Sequence, residues 1–246
     1  MLRYVDHKKM GRGIHDWLDS HFHFSFAEYF NPENIEFGVL RVINDDQVKQ
    51  GKGFGAHPHK DMEIVSYCVD GELTHGDSMG NEETLTRGQV QYMSAGTGVI
   101  HSEYNLGTKL LRFLQIWIYP DASGYKPNYG DYKFNWSDRV DKWLPIVTSV
   151  GNKENVAPIK IHQDVNIYAT EITKGRKQAF EVAPGRQAYM VLIEGDAVVS
   201  NPDGSSVINM TMRDGLEIIE QDIEIEAKEN AHILILEMQK PVSKLN

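Results

Sequence analysis

The sequence predicts an all-β protein built from two similar barrels in tandem. Three observations lead there: strand patterns dominate, turn residues punctuate them at short intervals, and the two halves repeat the same order of signals. Ile64–Val69 is rich in β-branched and aromatic residues and stops at the turn pair Asp70-Gly71. Ile223-Glu224-Ile225-Glu226 alternates apolar with polar, the period of a half-buried strand, and His232–Leu236 reads as a buried one. Turn signals stand at Gly80-Asn81, Arg87-Gly88, Asn201-Pro202-Asp203-Gly204 and Arg213-Asp214-Gly215. Helical periodicity is scarce; the best short candidate is Ser137–Trp143.

The duplication rests on order rather than identity. Asp70-Gly71-Glu72, then Arg87-Gly88, then the strand Leu111–Trp117 is echoed by Glu194-Gly195-Asp196, then Arg213-Asp214-Gly215, then Ile233–Leu236. The stretch from Tyr119-Pro120 through Gly124, Pro127 and Gly130 is the natural linker. The expected domains are therefore 1–130, carrying a metal site, and 131–246, a degenerate copy without one.

With 246 residues and 41% hydrophobic content, the chain can build real cores. Its longest unbroken apolar run, Ala188–Ile193, is far below the roughly 20 residues of a membrane-spanning helix. The start, MLRYVDHKKMGRG, lacks the apolar centre of a signal peptide, and the single Cys68 has no partner for an internal disulfide. A cytoplasmic setting is expected. The net charge of -10, with no dense Lys/Arg run, argues against direct nucleic-acid binding and against a polybasic membrane anchor.

The chemistry-bearing segment is Gly51–Glu63. His57 and His59 are an i, i+2 pair, which an extended chain points to one face about 6.6 Å apart. Pro58 between them lacks an N–H and suits a strand start or edge. His101 and Glu103 repeat the device within Gly96–Asn105. One His-x-His is common by chance; two such pairs beside glycine-rich turns are not. If the two strands pair, three imidazoles and one carboxylate converge. That mixed nitrogen/oxygen set suits one divalent transition metal (Fe, Mn, Co, Ni, Cu or Zn) and leaves positions open for substrate or O₂. Glu63, four residues beyond His59 and about 13 Å along a straight strand, is a rival carboxylate that needs a sharp turn to join.

Other residues read more plainly. Gly51-x-Gly53-x-Gly55 lacks a following helix start and is a loop leading into the strand, not a nucleotide loop. His75 and Asp77 are placed in a solvated hairpin-like turn. His7, His15, His21 and His23 are given surface or edge positions, and His162 and His232 are polar residues at strand edges. Cys68 is a small buried apolar residue. Phe24, Phe26, Phe54, Met93, Phe113 and Trp117 are candidates for a pocket lining or for plain core.

The layout Gly51, His57, His59, Glu63, Gly71, then Gly88, Gly96, His101, Asn105 resembles the paired motifs of the cupin superfamily. More specifically, HPHKDMEIVSYCVDGELTH and GDSMGN, followed by MSAGTGVIHSEYN, resemble the pirin family of bicupins. DWLDSHFHFSFAEYF and LRVINDD fit the same family, and the likeness thins through KIHQDVNIYA into the second half. The resemblance implies two tandem cupin (jelly-roll type) barrels with little helix. It also implies His57, His59, His101 and Glu103 as ligands, usually of Fe(II), whereas the general cupin pattern nominates Glu63. Family members carry a histidine just before a Phe-Ser-Phe; here Ser20-His21-Phe22-His23-Phe24-Ser25-Phe26 places histidines at flanking positions. By count from Gly195, the second half offers Glu181, Ala183, Gln187 and Lys228 at the ligand places, without an imidazole cluster.

The activity implied is a dioxygenase opening the central ring of flavonols such as quercetin with O₂, with Glu103 as the base. The competing expectation is a non-enzymatic, metal- or redox-responsive regulator acting on a protein partner. An acidic chain suits that role too.

Overall fold

The computed structural model describes residues 1–153 and 157–241, nearly all in strands and their turns. Two compact units form: Met10–Asn135 with Pro158–Gln163, and Met1–Lys9 with Trp136–Ala157 and Asp164–Asn246. These bounds differ from a split at 130/131. The extreme N-terminal strand Leu2–Val5 pairs with Gly215–Ile219 of the second unit. Asn128–Tyr132, placed by the sequence at the end of a linker, is instead a strand paired with Val90–Ser94 in the first unit. Of the residues that suggest a linker, Pro120, Gly124 and Pro127 sit in the loop before that strand, while Gly130 lies within it, opposite Tyr92.

The first unit stacks two antiparallel sheets. The larger orders Asn128–Tyr132, Val90–Ser94, Glu63–Asp70, Leu111–Ile118, Leu40–Val48, Leu18–Phe22 and Gly11–Ile14. The smaller orders Gly53–His59, Val99–Tyr104, Leu73–Asp77 and Glu82–Leu85. Apolar clusters fill both ends. One joins Leu18, Val48, Cys68, Leu73, Leu85, Leu111 and Phe113; the other joins Ile64, Met93, Ala95 and Val99. Cys68 is fully buried, as its strand position requires, and burial pushes its thiol up to about 12.

The second unit repeats the plan. Its larger sheet runs Leu2–Val5, Gly215–Ile219, Arg186–Glu194, Ala231–Gln239, Val165–Ile172 and Leu144–Ser149. Its smaller sheet runs Lys177–Phe180, Ile223–Ala227, Asp196–Ser200 and Val207–Thr211. Met190, Leu192, Ile218, Ile225, Ile233 and Ile235 are among the apolar residues between them. The proposed helix at Ser137–Trp143 is only a single 3-10 turn, Trp136–Arg139. The chain leaves it because Val140 bridges to Glu171 beside the sheet. No helix among the described residues is long and apolar enough to cross a membrane.

Candidate metal centre and cavity

The predicted i, i+2 pairs lie on adjacent antiparallel strands, with His57 directly opposite His101 and His59 opposite Val99. Along Val99–Tyr104, Val99, His101 and Glu103 are buried while Ile100 is exposed, the alternation that aims both functional side chains inward. Between His101 and Glu103 the register slips, so Glu103 faces Phe54 and the opposite strand bulges. The strands approach closely at Gly53, where a Cβ would lie 2.2 Å from the Glu103 carbonyl oxygen; only glycine fits there.

The rings of His57, His59 and His101 stand 4.5 to 4.9 Å apart, centroid to centroid. Their ligand nitrogens all lie within 4.8 Å of one another. His57 Nδ1 is 2.7 Å from the Gly55 carbonyl, which fixes the proton on that nitrogen and leaves Nε2 a bare lone pair. Nε2 of His57 lies 3.1 Å from Nε2 of His101. Two such nitrogens need a proton or a cation between them, and roughly 3 Å is the spacing of adjacent nitrogens each about 2.1 Å from one ion. His59 Nε2 is buried without a hydrogen-bond partner. Burial, with neighbouring imidazoles, lowers His59 to about 4 and His101 to about 3, so both rings are neutral donors at physiological pH. The donor set fits a divalent transition metal.

Glu103 is fully buried. Its Oε1 accepts from Ser66 Oγ (2.8 Å) and Gln91 Nε2 (2.9 Å), and its Oε2 from Gln115 Nε2 (2.5 Å). Burial nonetheless raises its carboxyl to about 7, with these hydrogen bonds opposing the rise. Glu103, His101 and His75 form a second group within 4.8 Å, sharing His101 with the first. Glu63 takes no part in either group. It is buried, accepts from Ser94 Oγ (2.6 Å) and from the His162 backbone N–H (3.3 Å), and is raised by burial.

The structure corrects several placements. His75 and Asp77 are not in a solvated turn but on the strand Leu73–Asp77, with both side chains fully buried and His75 Nε2 3.2 Å from Asp77 Oδ2. The His75 ring stacks on Tyr129 at 4.5 Å. Its inward direction follows from Leu73 two residues earlier, a signal that alternation makes available. His21 and His23 are buried rather than superficial. His232 is buried on a central strand, its Nδ1 3.0 Å from Glu194 Oε2. His162 stacks on Tyr125 at 3.8 Å. Asp6, His7 and Asp214 form a further group in the second unit, where Asp214 also accepts from Tyr4 and Thr211 and thereby fastens the N-terminal strand. Sequence reasoning also passed over Ser66, Gln91 and Gln115; their signal is a polar residue inside an otherwise apolar strand.

A cavity of about 700 Å³ opens against His57 and Glu103. Of the six candidate aromatic and Met side chains, Phe26, Phe54 and Trp117 line it, joined by Trp17. Phe24, Met93 and Phe113 are core. Trp17 and Phe54 meet edge-on at 5.3 Å, as do Phe26 and Trp117 at 5.5 Å.

Two cupin barrels in tandem, with an imidazole cluster opening on an aromatic-walled cavity, define a bicupin with a candidate metal centre. The chain belongs to the pirin family. The family profile described as Pirin matches residues 4–118, and that of the quercetinase C-terminal cupin domain matches 146–238. Quercetin 2,3-dioxygenase of Escherichia coli K12 is 39% identical over 230 residues, covering 93% of this chain and 94% of that protein. The crystal structure of YhhW from Escherichia coli superposes with a TM-score of 0.88 at 36% identity, covering 98% of this chain and 99% of that one. The nickel(II) complex of the same bacterial pirin gives 0.87 at 35% identity, over 98% and 100%.

Proposed function

We propose that the protein is a metal-dependent dioxygenase acting on flavonols of the quercetin type. The observation that carries this reading is the cavity itself: largely aromatic and apolar walls lead to an imidazole cluster and the Glu103 carboxyl. The relatives' names and the nickel-bound relative support it. In this reading His57, His59, His101 and Glu103 hold one divalent metal, Fe(II) or another of the transition series. The bound ion would supply Lewis-acid and O₂ chemistry.

The chain's own groups do the rest. Trp17, Phe54, Phe26 and Trp117 sandwich the flat ring system and exclude water. Glu103 Oε accepts the proton of the substrate's 3-hydroxyl, a transfer suited to a carboxyl near pH 7. Gln91, Gln115 and Ser66 keep that carboxyl aimed. Over the full reaction both atoms of O₂ enter the product as the central ring opens, and one carbon leaves as carbon monoxide.

The test is direct. Protein loaded with Fe(II), with occupancy measured, is given quercetin and oxygen; loss of flavonol absorbance, O₂ uptake and carbon monoxide release are followed together. Full occupancy with no consumption of either reactant sinks the proposal.

A further inference from the structure

The inner face of the first unit's larger sheet carries a polar row across four strands. Gln91 pairs in register with Ser66, Ser66 with Gln115, and Gln115 with Asn44. Residues paired in register share a face, so the four side chains stand side by side, each about 4.8 Å from the next. The first three are spent on Glu103. Asn44 is not: its side chain lines the cavity, the residue is only 4% exposed, and its Oδ1 has no hydrogen-bond partner. An amide oxygen buried without a partner is costly, on the order of 1–3 kcal/mol, unless something else supplies the donor.

Two residues along, on the same face, Asp46 also lines the cavity and accepts a hydrogen bond from Ser20 Oγ, likewise a cavity residue. Asp45 between them points the other way and is held by Arg112 through Nε at 2.8 Å and Nη2 at 2.5 Å. The strand thus turns one acid into a buried ion pair and presents Asn44 and Asp46 to the cavity. Burial raises Asp46 to about 7, so near neutrality its carboxyl can donate as well as accept. Most of the other lining is aromatic or apolar, with Trp17, Phe22, Phe26, Tyr29, Phe54 and Trp117 foremost, and the charged Arg12 and Glu28 are exposed. This is a polar pole in an apolar cleft, separate from the imidazole end.

We propose that Asn44, with the Ser20–Asp46 pair beside it, binds a substrate hydroxyl that does not touch the metal, and so selects polyhydroxylated flavonols over those bearing the chelating hydroxyl alone. This rests on the flavonol reading of the same cavity. An orphan amide and a hydrogen-bonded carboxyl match a phenolic O–H, which is donor and acceptor at once. A site built to hydrogen-bond a hydroxyl rejects the analogue lacking it, because its own polar groups are then left unpaired.

The experiment compares quercetin with 3-hydroxyflavone by titration calorimetry on the nickel-loaded, oxygen-free protein. Wild type is expected to bind quercetin at least about tenfold more tightly. In Asn44→Leu the ratio should collapse to within about twofold, through loss of quercetin affinity alone. Asn44→Ala and Asp46→Asn serve should the leucine variant fail to fold, judged by thermal melting; each should reduce the ratio. Equal binding of the two compounds by wild type, no binding of either, or an unchanged ratio in folded variants overturns the proposal. Oxygen uptake with Fe(II)-loaded protein separates the two readings. A ratio that collapses as expected without turnover of either flavonol removes the dioxygenase and leaves the selectivity. Turnover with an unchanged ratio does the reverse.

Discussion

The two units use one strand plan and fill it with opposite chemistry. In the first, the row across the larger sheet is Gln91, Ser66, Gln115 and Asn44. In the second, a row across the corresponding strands is Leu216, Met190, Ile235 and Tyr168. On the smaller sheets, His57 opposite His101 contrasts with Gln178 opposite Ile225. The apolar row closes into a continuous core. The polar row holds a cavity and a carboxylate, and the unit's apolar clusters retreat to either side. The frame is therefore set by strand length, alternation and turns, which both halves share. Function depends on what one inward-facing row carries.

The sharpest way to break this contrast is at its chemical centre. His101→Ala should abolish metal retention after purification, read by elemental analysis, and reduce flavonol turnover to background. Its cost to stability in the metal-free protein should be small, since a half-polar cluster is lost rather than a packed core. Ile235→Ala should do the opposite. It empties a fully buried site in the second unit and should cost about 2–5 kcal/mol of unfolding free energy, with metal content per folded molecule unchanged. A loss of metal in Ile235→Ala would show that the two rows are not independent.

A smaller effect separates the titratable groups that face the polar row from the smaller sheet. Glu103 is raised from 4.5 to about 7 by burial. The folded, metal-free protein therefore keeps a proton that the unfolded chain releases, and stability from this group falls as pH rises from about 4.5 to about 7. His59 and His101 act in the other direction. They are lowered from 6.5, so the unfolded chain binds protons that they refuse, and their share of stability is lost as pH falls below about 6.5. The contributions of these three groups therefore oppose one another. The difference between wild type and Glu103→Gln isolates the carboxyl. With chelator present, wild type should lose stability relative to the variant across pH 4.5–7, by a few kcal/mol at most, and the difference should flatten above that. A flat difference throughout would mean that the carboxyl is solvated.

Much of this was legible beforehand, and the exceptions share a cause. The i, i+2 spacing placed His57 with His59 and His101 with Glu103, because a strand's period of two is rigid. It could not separate Glu63 from Glu103; in the structure Glu63 contacts Ser94 and His162, far apart in sequence, and joins neither donor group. His75 was misplaced because His75-Gly76-Asp77 reads locally as a turn, while the pairing of Glu103 with His75 that makes it a strand is long-range. Asn44 and Asp46 stood in an unbroken run of four polar residues, Asn44 to Gln47; a strand's period of two puts them on one face, but which face met a cavity was not visible. The units differ from a split at 130/131 for the same reason, since only pairing reveals that Leu2–Val5 joins the second unit.

The smallest expected effect concerns the repeated turns. The sequence aligns Arg87-Gly88 with Arg213-Asp214-Gly215, glycine on glycine. The backbone aligns them differently. Gly88 N donates to Cys68 O with φ at 77°, and Arg213 N donates to Leu192 O with the same φ of 77°. Arg213 thus holds the left-handed place that glycine fills in the first unit, and a side chain there costs roughly 1–2 kcal/mol. Gly88→Ala should lose about that amount in chemical denaturation. Arg213→Gly should recover part of it, offset by the roughly 0.5–1 kcal/mol of chain freedom that glycine adds to the unfolded state. The two substitutions should therefore be opposite in sign and unequal in size, with the gain under about 1 kcal/mol. A destabilised Arg213→Gly would mean that the arginine's contacts outweigh its strained backbone, and that the second unit has replaced a glycine turn with a side-chain-held one.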